Sequence, residues 1–126
     1  MITIINTPNA PAPIGPYNQA VWAGNLLFVS GQIALDAQSG ELVITDIATE
    51  THKVMTNIKA ILAQAGLNFN AIVKTSIFLK DMGTFAQVNE IYGSYFTANF
   101  PARETIQVAA LPKNVNVEIS VTAYRA

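Results

Sequence analysis

Residues 46–79 read DIATETHKVMTNIKAILAQAGLNFNAIVKTSIFL, and they contain the helix and the strand around which the fold is predicted. Asp46 is a typical N-cap, Glu50 is an anion in the first turn, and Gly66 is a typical residue at a helix end. Between them, mostly apolar side chains recur at steps of three and four, as on one helix face: Ile47, Thr51, Val54, Ile58, Ile61 and Ala65. Residues 72–79 are dense in β-branched side chains, which predicts a strand after the helix.

Further strands are predicted on both sides of this unit. Residues 19–23 and 26–30 flank a Gly-Asn dipeptide, which predicts a hairpin with a two-residue turn. Near the other end of the chain, residues 104–110 and 115–125 predict two more strands. Apolar and polar side chains alternate in the last of these, as expected for a strand with one buried face.

A second helix is predicted between these regions. Thr84 followed by Gln87 is a capping-box pattern, which predicts the helix start. The inner side of this helix is predicted to carry Phe85, Val88, Tyr92, and Tyr95 or Phe96. The element order is then β-β-α-β-α-β-β. It predicts a single α+β domain over residues 1–126, with two helices on one face of a mixed sheet.

Two helices can cover only one face of such a sheet, so the other face bears on assembly. Ile72 and Phe78 are predicted to lie on the opposite side of their strand from Val73, Ile77 and Leu79, yet both are apolar. An uncovered apolar face of this kind marks an interface. Scattered apolar surface residues are the alternative. We favour a homo-oligomer.

The composition excludes several classes of function. The 126 residues contain no cysteine, which excludes disulfides, thiolate metal sites and a cysteine nucleophile. His52 is the only histidine and lies off the apolar helix stripe. We therefore expect it on the surface and expect neither a catalytic triad nor a metal cluster. The net charge of −1 provides no electrostatic footprint for nucleic acid.

The expected location is the cytoplasm. The first six residues lack the basic and apolar regions of a secretory signal. Apolar runs such as residues 26–29 are far shorter than the roughly 20 residues that span a bilayer.

Arg103 and Glu118 are the two charged residues in unusual surroundings. Arg103 follows a Phe-Pro-Ala turn at the start of a predicted strand, where its guanidinium could bind a carboxylate with two parallel hydrogen bonds. The alternative is a surface salt bridge to Glu104 or another acid. Glu118 stands among apolar residues in mid-strand, where partial burial would suit a general base. The alternative is a glutamate on a solvated sheet face.

Four further residues are weaker candidates for a binding site. Tyr17, in a proline-rich loop, could form the wall of a pocket or pack that loop down. Ser30 and Gly31 end a strand, where glycine permits close approach to a ligand or forms a bulge. Asn89 could point inward as an amide donor, although a helix-surface asparagine is commoner. Each signal is unspecific by itself.

These residues belong to six short motifs that follow one another along the chain. The motifs are Ile14-Gly15-Pro16-Tyr17, Ser30-Gly31-Gln32, Val88-Asn89, Phe100-Pro101-Ala102-Arg103, Leu111-Pro112-Lys113 and Val117-Glu118-Ile119. Their order and spacing resemble those of the Rid/YjgF family over essentially all 126 residues, and most of all its archetypal deaminase subgroup. The resemblance implies a chorismate-mutase-like α+β fold and a homotrimer with its sites in the clefts between subunits.

The resemblance also implies a cofactor-free activity, the hydrolysis of 2-iminobutanoate and 2-iminopropanoate to 2-keto acids and ammonia. In this family Arg103 would bind the substrate carboxylate and Glu118 would activate water. Tyr17, Ser30, Gly31 and Asn89 would line the pocket. Archetypal members often have a cysteine at the position of Thr105, whose hydroxyl can still form hydrogen bonds in the substrate site. Glu104 could compete for the guanidinium of Arg103.

Two other functions remain open from the sequence. The first is a non-enzymatic trimer that binds small carboxylates through Arg103 without needing Glu118. The second is ribonuclease or translation-inhibitor activity, ascribed to some relatives. The acidic pI of about 5.7 and the lack of a basic and aromatic surface pattern argue against the second.

Overall fold

The computed structural model describes residues 2–126, and in this part of the chain six strands form one mixed sheet. The strands are β1 (Thr3–Ile5), β2 (Ala20–Ala23), β3 (Leu26–Gln32), β4 (Ile72–Leu79), β5 (Ala102–Gln107) and β6 (Val117–Tyr124). Their order in the sheet is β1-β2-β3-β6-β4-β5. β4 and β5 are parallel, and all other neighbours are antiparallel. Helix α1 spans Ile47–Gln64 and α2 spans Phe85–Gly93.

The predicted α+β class is confirmed, with two helices and a mixed sheet. The observed order differs from the predicted one by one extra strand, β1, which pairs with β2. β1 has three residues and precedes a proline-rich loop, so its sequence is too short to carry a strand pattern. The two-residue hairpin between β2 and β3 is confirmed, with Ala23 paired to Leu26 and Gly24 at a φ of +60°.

Both helices lie on one face of the sheet, and the main core lies between them and β6. Every second side chain of β6 is buried there, in agreement with the predicted alternation: Val117, Ile119, Val121 and Ala123. Helix α1 contributes five buried side chains to this core: Val54, Met55, Ile58, Ile61 and Leu62. Within residues 2–126, neither helix is long and apolar enough to cross a membrane.

The first turn of α1 is attached to the start of β6. Asp46 caps the helix as predicted, with its Oδ1 accepting a hydrogen bond from Thr49 N at 2.8 Å. Glu50 is fully buried; its Oε2 accepts from the backbone N–H groups of Asn116 and Val117, and its Oε1 from the Asn116 amide. The sequence suggested only a favourable helix-dipole position for this residue. Glu50 also holds the backbone directly before Glu118.

The sheet faces predicted for the Ile72 and Val73 side chains, at the start of β4, are wrong. Ile72 is 4% exposed and belongs to the core, whereas Val73 is 46% exposed. The register between β4 and β6 shifts between Ile72 and Lys74, and this bulge exchanges the two faces for the residues before it. Beyond the bulge, Ile77 and Leu79 are buried and Phe78 points to the other face, as predicted.

The predicted capping box before α2 is also absent. Thr84 makes no side-chain cap to the helix, and its hydroxyl donates to the carbonyl of Asp81 at 2.8 Å. A short 3₁₀ turn, Met82–Thr84, leads into the helix and puts Thr84 in a helical conformation. An N-cap residue normally has an extended backbone, so this geometry does not suit capping.

The sheet face away from the helices, called the open face below, carries exposed apolar side chains. Phe28 on β3 and Ile106 on β5 are 45% and 47% exposed. Phe28 is paired with Thr122 of β6, and Ile106 with Phe78 of β4, so the apolar side chains lie towards the two sides of the sheet with polar residues of β6 between them. A face of this kind suits a protein interface.

Candidate functional site

One cavity is built around Arg103 on the helix side of the sheet. It measures about 470 Å³ and is lined by Asn89, Tyr92, Gly93, Phe100, Pro101 and Arg103. Arg103 is the second residue of β5 and pairs with Thr75 of the parallel strand β4. Because Thr75 is fully buried under the helices, Arg103 points to the same side.

The guanidinium of Arg103 is held by helix α2 without any acid. Its Nη1 donates to Asn89 Oδ1 at 2.7 Å. Its central carbon lies 5.7 Å from the ring centre of Phe85 and 5.3 Å from that of Tyr92. Asn89 is exposed on the helix surface and accepts this hydrogen bond, whereas the inward position suggested by the sequence would make it a donor.

The expected competition from Glu104 does not occur. Glu104 neighbours Arg103 along β5 but points to the open face, because successive side chains of a strand alternate. Its carboxylate lies 2.9 Å from Lys74 Nζ and accepts a hydrogen bond from Ser76 Oγ. The other ion pair of residues 2–126 joins Lys53 to Asp36. Arg103 therefore has no carboxylate partner in the described part of the chain.

A second cavity is built around Glu118. It measures about 390 Å³ and is lined by Ile14, Tyr17, Ser30, Gly31, Ile33, Pro112 and Glu118. Gly31 is needed here because a Cβ at this position would lie 2.0 Å from Glu118 Oε2. Burial raises the pKa of the Glu118 carboxyl above its ordinary value, since the charged form loses hydration.

The walls of this second cavity are fixed by the loop before β2. The side-chain amide of Gln19 is buried and donates to backbone carbonyls of the proline-rich loop, at Thr7, Ala10 and Pro11. Ser30 Oγ donates to the Asn18 carbonyl at 2.7 Å. The hydroxyl of Tyr17 accepts from Ile14 N at 3.3 Å.

The two cavities lie on opposite sides of the sheet. Glu118 pairs with Phe78 on the open face, while Arg103 lies under helix α2. The structure thus brings Tyr17, Ser30, Gly31 and Glu118 together, and separately Asn89 and Arg103. Within one chain it does not bring Arg103 and Glu118 together.

Thr105 and His52 lie outside both sets of lining residues. Thr105 is on the same face of β5 as Arg103, and its buried hydroxyl has no hydrogen-bond partner among the described residues. His52 is exposed, as predicted, with Nδ1 2.7 Å from Tyr95 Oη. No group of three or more histidine, aspartate and glutamate side chains in residues 2–126 is arranged to hold a metal ion.

The sequence predicted Phe85 and Tyr92 only as core residues, and so missed their contact with Arg103. A signal was present, because Phe85, Asn89 and Tyr92 are spaced by four and three and therefore share one helix face. Linking that face to Arg103 required the position of β5, which the sequence pattern did not supply.

The chemistry available is a cation that can bind a carboxylate and a carboxyl group that can act as a base near a small cavity. Comparisons with known proteins identify the family. A family described as "Endoribonuclease L-PSP" matches residues 7–125. The chain therefore belongs to this family, also called the Rid or YjgF family.

Individual relatives carry different names. A RutC family protein from Pyrococcus horikoshii is 50% identical over 125 residues, covering 99% of each chain. The 2-iminobutanoate/2-iminopropanoate deaminase of Homo sapiens is 47% identical over 120 residues, covering 95% of this chain and 88% of its own. The crystal structure of E. coli TdcF with bound serine has a TM-score of 0.94 at 41% identity, covering 98% of this chain and 99% of that one.

Proposed function

We propose that the protein is a hydrolytic deaminase that converts 2-iminobutanoate and 2-iminopropanoate to 2-keto acids and ammonia. The observation that carries the proposal is the guanidinium of Arg103, which faces a cavity with no carboxylate partner in the described chain. An unpaired cation of this kind suits a ligand carboxylate. The human relative named for this activity supports the choice of substrate.

The proposed active site forms between two subunits of a homotrimer. Glu118 and Arg103 occupy separate cavities in one chain, and each cavity supplies what the other lacks. Ile106 is paired with Phe78, and Phe78 with Glu118, so apolar side chains of the open face lie beside Glu118 and support association of subunits there. In a closed ring, the Arg103 cavity of one subunit would face the Glu118 cavity of the next.

In this arrangement Arg103 binds the substrate carboxylate, and Tyr17, Ser30, Gly31 and Asn89 line the site. Thr105, expected from the resemblance to form hydrogen bonds there, lies on the same face of β5 as Arg103 but lines neither cavity. The Glu118 carboxylate takes a proton from water as the water oxygen forms a bond to C2 of the protonated imine. That proton passes to the nitrogen of the resulting carbinolamine, and the C–N bond breaks to release ammonia. Loss of the hydroxyl proton leaves the 2-keto acid. No step needs a cofactor.

The decisive experiment is semicarbazide trapping of imines generated by a dehydratase, with and without the protein. Arg103→Ala should abolish the acceleration of imine hydrolysis, because the substrate loses its anchor. Arg125→Ala is the matched control, since this second arginine stacks on Trp22, 4.0 Å from the ring centre, and lines neither cavity. Full acceleration by the Arg103→Ala variant would refute the proposal.

A second candidate is a non-enzymatic trimer that binds small carboxylates, favoured by the serine bound to TdcF. Glu118→Gln separates the two functions. General-base catalysis contributes roughly 10²–10⁴-fold, so the enzyme should lose about that much turnover while keeping its affinity for a 2-keto acid. A pure binding protein would have no turnover to lose.

The family description names ribonuclease activity, which we consider less suitable here. A net charge of −1 provides little attraction for RNA phosphates. The cytoplasmic location expected from the sequence stays a prediction.

A further inference from the structure

The guanidinium of Arg103 lies against one stripe of helix α2. Phe85, Asn89 and Tyr92 are spaced by four and three residues, and all three contact the guanidinium. Two of the contacts are aromatic rings and the third is a neutral amide. The cation is thus stabilised by groups that leave its charge uncompensated.

This uncompensated charge matters for ligand binding. An acid paired with Arg103 would have to be displaced, or would repel an incoming carboxylate. Aromatic faces attract a cation without competing for its N–H groups. The Arg103 side chain has five N–H donors. Within residues 2–126 it makes one hydrogen bond, to Asn89, so its other N–H donors are free.

The ring of Tyr92 is fixed relative to the strand that carries Arg103. Tyr92 is 3% exposed, and its hydroxyl donates to Thr75 Oγ1 at 2.9 Å. Thr75 is the residue of β4 paired with Arg103 in the sheet. Burial raises the pKa of the Tyr92 phenol, so the ring stays neutral and forms no ion pair with the arginine.

We propose that Phe85 and Tyr92 are positioning residues that hold the guanidinium against their two aromatic rings, with its free N–H groups toward the cavity, and so set the affinity for carboxylate ligands. The inference rests on the proposed function, in which Arg103 binds the substrate carboxylate. The planar guanidinium fits this arrangement and a lysine ammonium does not, so Arg103→Lys should behave as a loss of the site.

The test measures calorimetric affinity for pyruvate, the 2-keto acid that 2-iminopropanoate would yield. Phe85→Leu and Tyr92→Leu remove one ring each and should weaken binding about tenfold, and raise KM similarly with a smaller change in kcat. Tyr92→Phe keeps the ring but loses the hydrogen bond to Thr75, so it should weaken binding less than Tyr92→Leu does.

Phe69→Leu is the matched control. Phe69 belongs to the same aromatic cluster, 5.9 Å from Phe96 between ring centres, but makes no contact with the guanidinium. It should leave pyruvate affinity unchanged. If Phe69→Leu weakens binding as much as Tyr92→Leu, the effect is general loosening of the fold and the positioning role is wrong.

A spectroscopic measurement covers the case in which Tyr92→Leu does not fold. The chain has two arginines, so two Nε–Hε signals are expected by NMR. Ring currents should displace the Arg103 signal, and Phe85→Leu, at a half-buried position, should move it back. An unchanged signal overturns the inference.

The outcomes also separate the inference from the proposed function. If the leucine variants bind pyruvate like the unmodified protein while Arg103→Ala does not bind, the positioning role is wrong and the carboxylate site stands. If Arg103→Ala itself binds normally, the proposed function fails and the positioning role fails with it.

Discussion

The Arg103 cavity and the Glu118 cavity differ in how each holds its charged group. Arg103 lies under helix α2 among aromatic and amide side chains, whereas Glu118 lies on the open face above Gly31. Neither group has an ion-pair partner among residues 2–126. Within the described chain a cation and a carboxyl group thus lie without ion-pair partners on opposite faces of one sheet, an arrangement that suits completion by a ligand and a second subunit.

Mixing two inactive variants should give the largest effect, because it tests whether the two cavities form one site between neighbouring subunits. Arg103→Ala and Glu118→Gln subunits should each be inactive alone but complement each other if every site takes one residue from each of two chains. After unfolding and joint refolding at equal amounts, about a quarter of the sites in random trimers would hold both intact residues. The trapping assay should recover about that fraction of activity. No recovery in verified mixed oligomers would mean that the sites do not form between chains.

Gly31→Ala tests whether catalysis depends on the position of the Glu118 carboxylate, because the added methyl group would collide with it. The added Cβ would occupy the space of Glu118 Oε2, 2.0 Å away, and so displace the base. We expect kcat to fall roughly 10- to 100-fold, part of the contribution of general-base catalysis. In a Glu118→Ala background, the same change should cause little further loss, because the two residues act through one contact. An additive loss would contradict this explanation.

The pH dependence of kcat/KM tests whether Glu118, rather than Arg103, supplies the group that must lose a proton. Burial raises the pKa of Glu118, and the general base acts in its deprotonated form. The value of kcat/KM should therefore rise with pH and level off above a pKa higher than that of an ordinary glutamate. Below that pKa it should fall about tenfold per pH unit. The spontaneous rate is subtracted in each buffer. A profile flat down to the ordinary glutamate range would show that the general base does not have a raised pKa.

The smallest expected effect is on stability. A carboxyl whose pKa is raised by folding favours the fold below its unfolded pKa, and this contribution is lost as the pH rises through the folded pKa. Glu118→Gln should therefore raise Tm at pH 7 by a few degrees at most, because the residue is only half-buried. At acidic pH the difference should vanish. A lower Tm at pH 7 would mean that the charged form is stabilised in the fold.

Several features of the fold followed from local patterns. The stripe of α1 and the alternation of β6 each extend over many residues, so burial imposes a period that the sequence displays. Shorter features were missed or misjudged. β1 has three residues, and the β4 bulge shifts one residue, which is enough to exchange the faces of Ile72 and Val73.

The candidate site was predictable in its members but not in its arrangement. Arg103 and Glu118 stood out by their surroundings and by the motifs of the family. Their separation depends on the parallel pairing of β5 with β4, a contact between segments about 30 residues apart that no local pattern encodes. Glu50 was missed for the same reason, since its partners Asn116 and Val117 lie far along the chain.

Both helices, five of the six strands in the described chain, the α+β class and the identity of the charged residues followed from the amino-acid sequence, because periodic burial and residue type are local properties. Tertiary contacts set the face that each charged group occupies, the pairing of Glu104 with Lys74, and the position of two aromatic rings beside Arg103. The physical reason is that strand register and pairing are set by packing between distant segments, and a shift of one residue reverses the direction of every side chain beyond it.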